Sequence, residues 1–194
     1  MQKRECMNVL SAEVAVLDEN TRRRAGTAAI RLAGFILLAL FATTTAADTQ
    51  QSKLSGGWHL VRTGNMKGRP EAVSVSHTVD GSRSDIDLAG IMLRCGEQSV
   101  EVIVVVVTPF PPHSQPEVSV RANSQEWRFT AKVISPGAEL LLPAEASQLA
   151  SGPWQAAREL AIKVISQERS FAGVVPIAGI GEALAAVAAS CMPG

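Results

Sequence analysis

Val100-Glu101-Val102-Ile103-Val104-Val105-Val106-Val107-Thr108 is the stretch that decides the fold. Five aliphatic residues run without interruption from Ile103 to Val107. A strand with one wet face alternates apolar with polar residues, so a continuous run signals a strand covered on both sides. This segment is therefore expected at the centre of a sheet.

Upstream, the fold begins at Trp58. Val73, Val75, His77 and Val79 alternate with Ser74, Ser76 and Thr78, giving a half-buried strand that stops at the turn signal Asp80-Gly81. Ile91, Leu93 and Cys95 share one face of the next strand, with Met92 and Arg94 on the other. Downstream, Pro109, Pro111, Pro112 and Pro116 cannot join a ladder and make a rigid loop. Val118 and Val120 open another strand, Ala122 to Gln125 form a turn, and Trp127, Phe129, Ala131 and Val133 alternate with polar residues in the strand after it. Glu139 to Leu142 reads as a strand, and Ala144 to Ala150 as a short helix stopped by Ser151-Gly152-Pro153. Two more strands follow, around Leu160 to Val164 and Phe171 to Ile177. A helix, Gly181 to Ser190, closes the chain. The expected fold is α+β and mainly β: an antiparallel sheet or two-layer β-sandwich with a short helix and a C-terminal helix.

Ahead of this domain, Arg22, Arg23, Arg24 and Arg31 precede the apolar run Leu32 to Ala42, which fades into Thr43, Thr44, Thr45, Ala46 and Ala47. Positive, apolar, then small is the order of a secretory signal. The run falls short of the roughly 20 residues a membrane-spanning helix needs, so a cleaved leader is expected, with a retained inner-membrane anchor as the alternative. Both place the domain outside the cytoplasm. The expected organisation is an N-terminal extension and signal peptide over 1–47, a flexible tether over 48–57 and one β-rich domain over 58–194. The acidic residues Glu5, Glu13, Asp18 and Glu19 fit poorly in a signal, so nothing functional is hung on Cys6.

Charge excludes some functions. The chain has 18 basic and 18 acidic residues, and removal of the leader leaves about two more acidic than basic groups. No basic surplus points to nucleic acid. Two of the three cysteines, Cys95 and Cys191, lie in the exported part. An even count outside the cytoplasm invites a disulfide. In the last helix Leu184, Val187, Ala188 and Cys191 fall on one stripe; if the strand face of Ile91, Leu93 and Cys95 is the one this helix covers, the bond staples the helix to the sheet.

Catalytic signatures are weak. His59, His77 and His113 have no partner at metal-binding spacing, and no Cys-x-x-Cys occurs, so neither metal nor cofactor is expected. His77 on an apolar strand face reads as a packed histidine. Ser76, His77 and Asp80 are close in sequence, but neighbours on a strand point to opposite faces. Asp85 and Asp87 read as a solvated turn. Gly179-Ile180-Gly181 lacks the third glycine of a dinucleotide fingerprint and the chain length to complete it. Arg62, Lys67 and Arg69, with Gly64 and Gly68, form a local positive cluster able to dock an acidic partner or a lipid headgroup; they are the candidate partner-binding residues.

Leu93-Arg94-Cys95, the valine-rich strand Val100 to Val107, Val118 to Arg121, Trp127, the helix within Leu142 to Leu149, and Ile177-Ala178-Gly179 leading to Cys191 together resemble a family of periplasmic accessory proteins associated with type VI secretion. The resemblance covers about 100 residues; the proline cluster and the Trp154 segment depart from its pattern. It implies a disulfide-bonded periplasmic domain and a secretion-associated role. The combined expectation is an exported, non-catalytic binding domain with a protein partner in the cell envelope. A periplasmic hydrolase, or a membrane-tethered structural protein, is the alternative.

Overall fold

The computed structural model describes residues 49–64, 72–97, 99–134 and 136–191. The expected leader, together with Lys67 and Arg69, lies outside the described residues. Strands β1 (Thr49–Lys53), β2 (His59–Thr63), β3 (Ala72–Thr78), β4 (Leu88–Cys95), β5 (Val100–Val106), β6 (Glu117–Ala122), β7 (Gln125–Thr130), β8 (Lys132–Ile134), β9 (Glu139–Leu141), β10 (Glu159–Ile165) and β11 (Ser170–Pro176) are joined by helices α1 (Ala144–Ala150) and α2 (Ile180–Cys191). They form two sheets, ordered β1-β2-β3-β4-β5-β9-β8 and β11-β10-β6-β7. Every pairing is antiparallel.

Register explains the core. Leu60, Val75, Leu93 and Val102 align across β2 to β5, as do His77, Ile91, Val104 and Leu140 across β3, β4, β5 and β9. These side chains are buried on one face. In the smaller sheet Val175, Leu160, Phe171, Val164, Val118 and Phe129 occupy the corresponding buried positions. Both sets belong to one continuous core, which α2 joins through Ile180, Ala183, Leu184 and Val187. Cys191 ends α2 next to Cys95, with the two Cα atoms 5.3 Å apart and the disulfide formed. The staple inferred from the helix stripe is present.

Three expectations change. The strand at the centre of the larger sheet is β4, with β5 beside it. The aliphatic run reports cover on both faces, which β5 has for another reason. Ile103, on its outer face, is fully buried, and the Arg94 guanidinium reaches across β5 to bond Glu101 (2.9 Å) and Glu139 (3.1 Å). At the end of the run, Val107 is exposed.

The alternating stretch from Trp127 to Val133 is two strands. It breaks at buried Ala131, whose N–H donates to the Pro116 carbonyl (2.9 Å), and the chain crosses there from the smaller sheet to the larger. Period-two alternation survives the corner because both strands face the same core.

The proposed tether is ordered structure. Thr49–Lys53 pairs with β2 along its whole length, and the turn Ser55–Gly57 is pinned to the rest of the fold. The Trp58 indole N–H donates to the Ala178 carbonyl (2.9 Å), the Gly56 carbonyl lies 2.9 Å from His77 Nε2, and Ser55 Oγ donates to Glu182. Gly56 has φ +67°, and a Cβ there would lie 1.8 Å from the Ala178 carbonyl oxygen. Thr49–Lys53 carries no apolar residue, and Ser55 and Trp58 find partners some 120 residues on, so the stretch reads as linker.

Candidate functional site

The outer face of the smaller sheet is built by the same alternation that buries its inner face. Val174, Ala161, Arg121 and Glu126 form one cross-strand row; Ala172, Lys163, Ser119 and Arg128 form the next; Ser170, Ile165, Glu117 and Thr130 form a third. Together with Arg83, the residues of these rows other than Ser170 and Thr130 line an open cleft of about 420 Å³. Its walls carry four cations, Arg83, Arg121, Arg128 and Lys163, against two carboxylates, Glu117 and Glu126, so the cleft favours an acidic ligand.

Not all of that charge is available. Arg83 forks onto both Glu159 oxygens (3.1 and 2.7 Å) and contacts Asp80 (2.7 Å). Asp80 also accepts from the Ser82 hydroxyl and N–H. The Ser82 hydroxyl first, then Arg83, holds the Asp80 carboxyl at about 2, below the ordinary 3.8. Glu126 is likewise lowered, first by the Ser119 hydroxyl and then by Arg128. Arg128 itself lies 3.4 Å from Glu126 and 4.0 Å from Glu117. Lys163 and Arg121 differ: both are exposed, and among the described residues neither makes a hydrogen bond or an ion pair. They lie on adjacent central strands, β10 and β6, in the middle of the cleft.

The loop from Asp80 to Asp87 closes the β11 side. Asp80 N–H donates to the Val174 carbonyl (2.7 Å) and Asp85 N–H to the Ala172 carbonyl (2.8 Å). In return the Asp85 carboxylate accepts from Ala172 N–H (2.7 Å) and the Ser84 hydroxyl from Val174 N–H (2.9 Å). Asp87 accepts from the Thr108 hydroxyl (2.6 Å). The two aspartates of this exposed turn are thus bonded, Asp85 to the β11 edge and Asp87 to Thr108 beyond β5.

Of the residues singled out from sequence, Arg62 sits half-buried on β2 opposite Val73, in the larger sheet. Lys67 and Arg69 lie outside the described residues. His77 is buried, with Nδ1 2.8 Å from the Thr78 carbonyl and Nε2 2.9 Å from the Gly56 carbonyl, and its ring meets Trp58 edge-on at 5.3 Å. It is a packed, structural histidine. His113 adopts φ 69° in the proline loop and lines a second recess of about 400 Å³ with Phe110, Ser114 and Glu168. Arg169 props that loop, stacking over Phe110 at 4.0 Å and donating to the Thr108 carbonyl (2.6 Å). Among the described residues no group of three or more His, Cys, Asp or Glu is placed to hold a metal ion, and no helix is long and apolar enough to cross a membrane.

Arg121, Arg128 and Lys163 were missed as a set by sequence reasoning. Each looked like the polar half of an ordinary alternating strand, and only the order β10-β6-β7 brings them together. Comparison with known proteins finds no matching family model, no similar curated protein and no similar solved structure.

Proposed function

We infer that this chain is an exported, non-catalytic binding domain of the cell envelope, and that it docks an acidic segment of a protein partner on the outer face of the sheet β11-β10-β6-β7. The observation that carries the reading is the pair Lys163 and Arg121. Two exposed cations on adjacent strands, neither held in a side-chain hydrogen bond or an ion pair among the described residues although Arg121 stands across from Glu126, lie in a cleft whose other charges are largely matched. Such a face steers and orients an acidic chain more than it binds it tightly, since exposed pairs contribute about 0.2–1 kcal/mol each.

The chemistry of the cysteines supports the compartment. A disulfide between Cys95 and Cys191 belongs to an oxidising environment, in keeping with the arginine-led apolar segment that precedes the domain. The resemblance of Leu93-Arg94-Cys95 through Cys191 to periplasmic accessory proteins of type VI secretion supports a secretion-associated role. Affinity capture from the envelope fraction tests the reading: wild-type protein retains a partner, and the pair Arg121→Glu and Lys163→Glu loses it. Equal recovery by both would refute it.

A further inference from the structure

The smaller sheet ends differently at its two sides. The β11 edge is taken up by Asp80, Ser84 and Asp85. β7 is the other terminal strand, and the hairpin fixes which of its backbone groups face outward. Ala122 and Gln125 close a two-residue turn, with Asn123 at φ 55°. In such a hairpin the closing pair exchanges both hydrogen bonds. Alternation then makes Val120 with Trp127, and Val118 with Phe129, the next bonded pairs. The N–H and C=O groups of Glu126, Arg128 and Thr130 therefore point away from β6, and among the described residues nothing pairs with that side. An open edge of this kind is a template for another strand.

The charge pattern specifies which strand. Glu126 and Arg128 are two residues apart, so they share the outer face, and they are opposite in sign. When β7 pairs antiparallel with β7 of a second copy about a two-fold axis at Trp127, Glu126 stands opposite Arg128 of that copy, and Arg128 opposite its Glu126. Moving the register by two residues puts Arg128 opposite Arg128 and loses the match. An open groove runs along this edge, between β7 residues Glu126 to Thr130 and the α1 side at Pro143 and Leu149, and in that register the half-buried Trp127 meets its own counterpart there.

We propose that β7 is a homodimer seam, joining the two four-stranded sheets of two copies into one continuous sheet in the register that pairs Glu126 with Arg128. The seam places both Lys163–Arg121 clefts on a single face. It does not depend on the partner-binding reading, because self-association is measured without a partner.

The test is sedimentation velocity of the disulfide-bonded protein, purified from an exporting host, from about 1 to 300 μM. The expected result is a sedimenting mass that rises towards twice the monomer. Glu126→Arg alone or Arg128→Glu alone raises the dissociation constant about tenfold or more, because each replaces two attractive cross-strand pairs with two repulsive ones. Both variants combined restore wild-type association to within about threefold. A monomer throughout, single variants that associate like wild type, or a double variant that fails to recover would each overturn the proposal.

Discussion

Removing the Cys95–Cys191 bond is the perturbation whose effect can be worked out most fully. The two residues are 96 positions apart, and opening a cross-link over that many residues returns about 4.7 kcal/mol of conformational freedom to the unfolded chain at 25 °C. Domains of this size are ordinarily stable by about 5–15 kcal/mol, so the bond accounts for a large share of what keeps this one folded. The native state has less to lose, because α2 stays docked through Ile180, Ala183, Leu184 and Val187. Guanidinium unfolding followed by tryptophan fluorescence reads this directly, since Trp58 and Trp154 are fully buried. The double variant Cys95→Ser and Cys191→Ser is expected to keep the native emission spectrum in buffer, lose about 3–5 kcal/mol and melt roughly 10–20 °C lower. A loss below about 1 kcal/mol would refute the reasoning, as would a variant that has already lost its native spectrum, because the helix would then owe its position to the bond alone.

Other consequences are sharp enough to check. Gly56→Ala must force a side chain onto the Ala178 carbonyl at a left-handed backbone position, and is expected to cost about 2 kcal/mol or more in the same unfolding assay. Asp80 has a folded value near 2, below its ordinary 3.8. Its contribution is therefore fully present above about pH 4 and is lost as the pH falls from there towards 2; Asp80→Asn should flatten the melting temperature over that window and leave the slope between pH 5 and 7 unchanged. Arg94→Ala leaves Glu101 and Glu139 without the cation they share, so a loss of about 1–2 kcal/mol is expected, whereas Arg128→Ala on the open face should change stability by less than about 0.5 kcal/mol.

How much of this was legible in the sequence depended on whether the signal was local. Both helices and most strands follow from spacing and from turn residues within a few positions, and the Cys191 stripe pointed correctly at Cys95. What was missed either lacks an apolar signal or is non-local. The corner at Ala131 leaves period-two alternation intact, so one apparent strand became two. The segment Thr49–Lys53 has nothing apolar to announce it, yet its backbone pairs with β2, and Ser55, Gly56 and Trp58 find their partners near Ala178. The cleft is the clearest case: Arg121 and Arg128 share the β6–β7 hairpin, but Lys163 joins them only when β10 pairs with β6, a pairing between segments some 40 residues apart. The cluster of Arg62, Lys67 and Arg69 was visible because its charges adjoin in sequence; Arg62 sits on β2, and Lys67 and Arg69 lie outside the described residues.

Docking on the outer face of β11-β10-β6-β7 would make that face, and not the edge of the larger sheet, the place where a partner can be trapped. Photo-crosslinking in living cells tests it most directly, with a benzoylphenylalanine placed at Ala172, beside Lys163 on that face, or at Gln51 on the edge of the other sheet. A discrete heavier adduct is expected from Ala172, lost with Arg121→Glu and Lys163→Glu, and none from Gln51. An adduct from Gln51 alone, or one from Ala172 that is indifferent to those charges, would contradict it.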